Sequence, residues 1–118
     1  MARRLDNLYA GIPAALPDEL TTALWRCGET RIERIVSRGH RSPEGFWYDQ
    51  AEDECVVVLE GEARLEFDDG RVMMLRRGDG CVLPAGCRHR VAWTAPDVET
   101  IWLAVFCRPT ASGSHDGP

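Results

Sequence analysis

Residues 50–89 read QAEDECVVVLEGEARLEFDDGRVMMLRRGDGCVLPAGCRH, and this stretch decides the fold. The run from 55 to 59 is continuous, apolar and mostly β-branched, which is typical of a strand buried on both faces. Asp69-Gly70 predicts a tight hairpin, because a type I′ turn needs positive φ at both central positions. We therefore expect antiparallel strands on either side of residues 69–70.

Strand signals continue outward from this stretch in both directions. The eight predicted strands are Thr30–Ser37, Phe46–Gln50, Cys55–Leu59, Ala63–Phe67, Arg71–Leu75, Cys81–Leu83, Arg90–Thr94 and Thr100–Phe106. Eight short, closely spaced strands joined by glycine-rich turns predict an all-β protein, a jelly-roll β-barrel.

Residues 16–25 are expected to form one short N-terminal helix. Pro17 suits a first helical turn, the acidic pair after it suits the helix dipole, and four apolar residues share a face. The predicted organisation is an N-terminal arm and helix packing on the barrel over 1–29, the barrel over 30–107, and a disordered Gly/Ser/Pro-rich tail over 108–118.

The length and composition of the chain limit the classes of protein to which it can belong. At 118 residues the chain is long enough for one core and too short for two domains. A formal charge of −5 without a block of basic residues disfavours nucleic-acid binding. No apolar run has the length of a membrane span, and no apolar segment follows the basic start. We expect a cytoplasmic protein that binds neither nucleic acid nor membrane.

The cysteine count argues against a disulfide framework or a zinc ribbon. There are five cysteines and no Cys-x2-Cys pair. Most are expected to be small core residues in a reducing compartment. Cys55 and Cys87 lie beside the polar motif residues, which leaves a redox role open.

The polar residues of the central stretch fall into two motifs. They are Gln50-x3-Glu54-x6-Gly61 before the hairpin and Gly78-x5-Pro84-x-Gly86-x2-His89 after it. This pattern resembles the cupin superfamily of small jelly-roll barrels, whose second motif is Gly, five residues, Pro-x-Gly, two residues and His. The resemblance covers about residues 30–107. Where the family's first motif has His-x-His, this chain has Tyr48-Asp49-Gln50.

The resemblance implies a divalent metal, either zinc, iron, nickel or manganese. By position, the family's four metal ligands map to Tyr48, Gln50, Glu54 and His89. Imidazole and carboxylate bind these metals well. An amide oxygen is a weak donor, and a phenol must first lose its proton near a pKa of about 10. The substituted residues therefore predict a reduced metal affinity.

The alternative is a metal-free pocket that binds a small polar metabolite. Glu54 and His89 facing each other could transfer a proton, with Tyr48 binding or protonating an oxyanion. Such a set suits an isomerase, epimerase or lyase. A non-catalytic ligand-binding barrel and a structural protein with a vestigial metal site stay open, because a satisfied buried polar network uses the same residues. By resemblance we also expect a homodimer.

Overall fold

The structure is a computed structural model that describes residues 1–109, and it is all-β. Within that range there are eight strands and no α-helix. The strands are β1 Leu20–Cys27, β2 Thr30–Ser37, β3 Asp53–Glu60, β4 Glu62–Phe67, β5 Val72–Arg76, β6 Gly80–Leu83, β7 His89–Thr94 and β8 Thr100–Cys107. No helix in the described part of the chain could cross a membrane. The predicted disordered tail falls, from residue 110 onward, outside the described residues.

The helix predicted over residues 16–25 is wrong, because most of that segment belongs to strand β1. Leu20, Thr22 and Leu24 are half-buried and the residues between them are exposed, so burial follows the strand period of two. β1 pairs antiparallel with β2 along its length. The spacing of the leucines satisfied both periods, and the partner strand outweighed helical propensity.

The strand predicted over Phe46–Gln50 is also wrong. This segment is a loop that meets β7 at a single bridge between Tyr48 and His89. The Tyr48 amide donates to the His89 carbonyl at 2.7 Å, and the His89 amide donates to the Tyr48 carbonyl at 3.2 Å. The count of eight strands is therefore reached with β1 in place of this segment. The bridge fixes Tyr48 beside His89.

Two antiparallel sheets enclose one core. The strand orders are β1-β2-β8-β3-β6 and β5-β4-β7. The core residues come from both sheets: Val56, Val58, Ala63, Leu65, Leu75, Leu83, Trp102, Ala104 and Phe106. The all-β prediction is confirmed. The ladders of the described residues form two sheets of five and three strands, which agrees with the predicted jelly roll, and they do not join into one closed barrel.

The hairpin predicted at Asp69-Gly70 joins β4 to β5, but its turn type differs from the prediction. The Phe67 amide donates to the Arg71 carbonyl at 2.9 Å, and the Gly70 amide donates to the Phe67 carbonyl at 2.9 Å. Gly70 has a φ of 91°, whereas Asp69 does not have a positive φ. This is a three-residue turn with glycine at the left-handed position rather than a type I′ turn.

Gly61 joins β3 to β4 where the chain passes close to the start of β8. Its φ is +88°, and a Cβ at this position would lie 2.6 Å from the Glu99 carbonyl oxygen and 2.6 Å from the Thr100 Cα. Atoms at that separation overlap, and a positive φ is itself strained for an L side chain. Only glycine fits here.

We expect Gly61→Ala to lower the free energy of unfolding by about 3–5 kcal/mol, because overlap with the backbone adds to left-handed strain. Gly70→Ala is the matched control, since its φ is +91° but nothing lies within 4 Å of the added Cβ. The control should lose only about 1–2 kcal/mol. Urea unfolding of both variants measures the difference, and equal losses would contradict the close approach at Gly61.

Candidate functional site

A cavity of about 210 Å³ lies between the two sheets. Its lining includes all four residues predicted from the motifs, which are Tyr48, Gln50, Glu54 and His89. Two come from the loop before β3, one from the start of β3 and one from the start of β7. Much of the remaining wall is apolar and comes from both sheets. The fold therefore gathers residues that are distant along the chain into one place.

Glu54 enters the cavity from a strand that is hydrogen-bonded on both edges. β3 pairs with β6 and β8, and its alternate residues Glu54, Val56 and Val58 are buried. The Gln50 side-chain amide donates to Glu54 Oε1 at 3.1 Å. Burial raises the pKa of the Glu54 carboxyl, while the Gln50 hydrogen bond and nearby His89 lower it in part. The carboxyl therefore keeps its proton to a higher pH than an exposed glutamate does.

His89 is only 4% exposed and presents one ring nitrogen to the cavity. Its Nδ1 lies 2.9 Å from the Cys87 carbonyl oxygen. Because a carbonyl only accepts hydrogen bonds, we assign the proton of the neutral ring to Nδ1. Nε2 then carries the lone pair and lies 3.9 Å from Glu54 Oε1. This distance is too long for a direct hydrogen bond, and it lets one ligand oxygen reach both atoms.

Tyr48 forms a wall of the cavity beside His89. The two rings are stacked, with centroids 5.2 Å apart and an interplanar angle of 23°. Phe46 meets the other side of Tyr48 edge-on at 4.8 Å. Burial raises the pKa of the Tyr48 phenol, and the charges of Glu19 and Glu54 raise it further. The phenol is therefore a hydrogen-bond donor and not a phenolate at neutral pH.

Three polar residues of the cavity wall, Glu19, Thr21 and Glu33, were missed by the sequence analysis. The first two fall in the segment that was predicted to be helical, so their direction could not be read. Glu33 shares the inward face of β2 with Ile35, which also lines the cavity. The sequence could have indicated Glu33 through strand parity, because it lies two positions from the apolar Ile35 and therefore on the same face of the strand.

A chain of hydrogen bonds ties Glu19 to the protein core. The indole nitrogen of Trp102 donates to Ser37 Oγ at 3.1 Å, and the Ser37 hydroxyl donates to the Glu19 carboxylate. Ser37 is fully buried, whereas Glu19 is exposed at the edge of the cavity. The buried indole therefore helps to set the position of a carboxylate at the entrance.

The donor set fits a tightly held divalent metal poorly. Of the four predicted ligands, only Glu54 and His89 are strong donors, because Gln50 turns its amide nitrogen to Glu54 and Tyr48 stays protonated. Within residues 1–109, no three or more His, Cys, Asp or Glu side chains are placed to hold a metal ion. Two strong ligands fall short of the three that catalytic zinc sites use.

Known proteins share this fold. The cupin domain family matches residues 35–106, and the chain belongs to that family. The structure is similar to that of a Ralstonia eutropha JMP134 protein provisionally named a mannose-6-phosphate isomerase. The two are 44% identical, with 90% of this chain and 99% of that chain covered and a TM-score of 0.86.

A more distant relative shows the fold alone. It is a cupin superfamily protein from Desulfitobacterium hafniense DCB-2, with 20% identity, 92% of this chain and 93% of that chain covered, and a TM-score of 0.71. No curated protein matches the chain. The predicted cupin membership is thus confirmed by the family match.

We expect Glu54→Gln to leave the protein at least as stable as the wild type at neutral pH. Because burial raises the folded-state pKa of Glu54 above 4.5, the folded protein binds more protons than the unfolded chain just above that pH. The contribution of this carboxyl to stability is complete below pH 4.5 and is lost as pH rises through the folded-state pKa. The amide introduced at position 54 carries no charge, so it avoids that loss of stability. Its carbonyl oxygen still accepts the hydrogen bond from the Gln50 side chain.

Melting temperatures of the wild type and Glu54→Gln from acid to neutral pH measure this effect. Glu60→Gln is the matched control, because Glu60 is exposed at the end of the same strand. Its melting curve should follow that of the wild type at every pH. A lower melting temperature for Glu54→Gln at neutral pH would contradict the raised pKa.

Proposed function

We propose that this protein is an isomerase-type cupin that moves a proton on a small oxygenated metabolite held between Glu54 and His89. The observation that carries this proposal is the 3.9 Å gap between Glu54 Oε1 and His89 Nε2, two buried side chains that line the cavity. A ligand atom in this gap can contact both the carboxyl group and the imidazole, and each of these groups can gain or lose a proton. Similarity to a Ralstonia protein whose provisional name is that of an isomerase supports the same reaction class.

The geometry suits a proton shift through an enediolate. His89 Nε2 takes the proton from the carbon next to a carbonyl group, and the C–H electron pair forms the new carbon–carbon double bond. The carbonyl oxygen gains negative charge and accepts a hydrogen bond from the Tyr48 phenol. Glu54 moves the hydroxyl proton between the two oxygens, and His89 returns its proton to the neighbouring carbon. Atoms and electrons balance without an oxidant or reductant.

The same intermediate serves two related reactions. Return of the proton to the opposite face of the original carbon gives an epimer, and departure of a neighbouring hydroxyl, protonated by Glu54, gives the product of a lyase. In all three cases the first step is removal of a proton next to a carbonyl group. An assay of that step therefore tests the proposal before the product is known.

Exchange of that carbon-bound proton in deuterium oxide, followed by proton NMR with a panel of small aldoses and ketoses, measures the step directly. We expect His89→Gln and Glu54→Gln each to lower the exchange rate by about 10²–10⁴-fold, the usual effect of removing a general acid or base. Tyr48→Phe should cost about tenfold, which corresponds to one lost hydrogen bond of roughly 1.4 kcal/mol.

His40→Gln and Glu60→Gln are the matched controls, since neither residue lines the cavity. Both should exchange protons at the wild-type rate. Because the donor set fits a metal poorly, dialysis against a chelator should also leave the rate unchanged. A loss of rate that zinc, iron, nickel or manganese restores would overturn the metal-free mechanism, and wild-type exchange by His89→Gln would overturn the role of the imidazole.

A second candidate function is ligand binding without turnover. It is favoured by the replacement of His-x-His by Tyr48-Asp49-Gln50, which leaves one imidazole in the cavity lining formed by residues 1–109. A sugar that raises the melting temperature but shows no proton exchange would support this function over catalysis.

A homodimer and a cytoplasmic location stay predictions. The N-terminal arm packs on its own chain, because Arg34 donates to the carbonyls of Leu8 at 3.2 Å and Ala10 at 2.7 Å. β1 is an edge strand and carries an exposed Trp25, which favours pairing with a second copy. Light scattering after size exclusion is expected to give about twice 13.2 kDa. A monomer at high concentration would contradict the dimer.

A further inference from the structure

The cavity carries more negative than positive charge. Glu19, Glu33 and Glu54 all line it, and His89 is the one basic side chain in the described lining. Glu54 and Glu19 are hydrogen-bonded by uncharged partners, an amide and a hydroxyl. Their charges therefore face the cavity without a cation bound to them.

The basic residues of the chain do not offset this charge. The sequence contains no lysine, so all fourteen basic residues are arginines, and within residues 1–109 none of them lines the cavity. Arg31 lies over the ring of Phe106 at 4.0 Å, close enough to lower the pKa of Glu54 in part. It already donates to Glu33 at 3.1 Å and to Glu52 at 2.6 and 2.7 Å. An anion would have to compete with two carboxylates for this one guanidinium.

A polar atom in the cavity still lacks a partner. His89 Nε2 has no hydrogen-bond partner among the described residues and opens onto the cavity, where a ligand hydroxyl group can reach it. Around it, the Tyr48 phenol donates, the carboxylates accept, and the Thr21 hydroxyl can do both.

We propose, resting on the isomerase-type function above, that the ligand is a small uncharged polyhydroxy carbonyl compound and that the cavity rejects its phosphate esters. Hydroxyl groups both donate and accept, so they suit a wall of mixed donors and acceptors, while the C–H face of such a compound suits the apolar wall. A phosphate would meet a wall that carries the carboxylates of Glu19, Glu33 and Glu54, and among the described residues only that of Glu33 is paired with an arginine. The ligand class therefore differs from the phosphorylated sugar in the provisional name of the Ralstonia protein.

Matched pairs of ligands test this proposal. D-mannose, D-glucose and D-fructose are compared with their 6-phosphates by thermal shift and by isothermal titration of the full chain. At least one free sugar is expected to bind, and its 6-phosphate to bind at least tenfold more weakly. A 6-phosphate that binds as tightly as the free sugar, glucosamine binding in preference to glucose, or no binding by any free sugar would each overturn the proposal.

Glutamate-to-glutamine variants remove a charge with little change in side-chain size. They therefore show whether electrostatic repulsion or a lack of space weakens the binding of a 6-phosphate. Glu19→Gln keeps an acceptor for Ser37 and removes one charge, so it should raise the affinity for the 6-phosphate about threefold to tenfold. Glu33→Gln should raise it more, because it also frees Arg31. Glu60→Gln is the matched control and should change nothing. No gain in either cavity variant would overturn the electrostatic argument.

The two proposals fail in different ways. A free sugar that binds without exchanging its carbon-bound proton would remove the isomerase function and leave the ligand class standing. Proton exchange on a 6-phosphate with none on the free sugar would do the reverse. Each result is read from the same panel of six compounds.

Discussion

The site depends on keeping one carboxyl group, that of Glu54, inside a two-sheet core. β3 is hydrogen-bonded on both edges, and the pleat that buries Val56 and Val58 also turns Glu54 inward. Turning strand β3 so that Glu54 points outward would also expose these valines, so the carboxyl group stays in the cavity. Backbone contacts also hold the two neighbouring rings in position. Tyr48 is bridged to β7, and the His89 ring is hydrogen-bonded to a backbone carbonyl. Burial of this group is what raises its pKa and makes it suitable for proton transfer.

Much of this site could be predicted from residue spacing, since glycine-marked turns set strand lengths and strand parity sets direction. Motif spacing and the resemblance to the cupin superfamily placed Glu54 and His89 in one pocket, and the structure brings them within 3.9 Å. Residues 16–25 could not be read in the same way. Their leucines fit a helix and a strand equally, and the choice was made by β2, a partner that local sequence does not reveal.

The strand predicted over residues 46–50 is wrong for a different reason. Its residues alternate as a strand would, yet the segment forms a single β-bridge, at Tyr48, and a ladder needs several. Two of the three missed wall residues follow from the error over residues 16–25, because Glu19 and Thr21 could be assigned to the cavity only once β1 was recognised. The four residues predicted as metal ligands line one cavity, but hydrogen bonding and a raised phenol pKa, which spacing cannot show, decide their donor strength.

The hydrogen-bonded chain from Trp102 through Ser37 to Glu19 connects the interior to the entrance of the cavity. Indole emission responds to the polarity and hydrogen bonding around the ring nitrogen. A molecule that draws the Glu19 carboxylate away from Ser37 therefore changes the surroundings of a buried fluorophore. Trp102 is thus a native fluorophore coupled to the cavity, and its emission adds to that of the other three tryptophans of the chain.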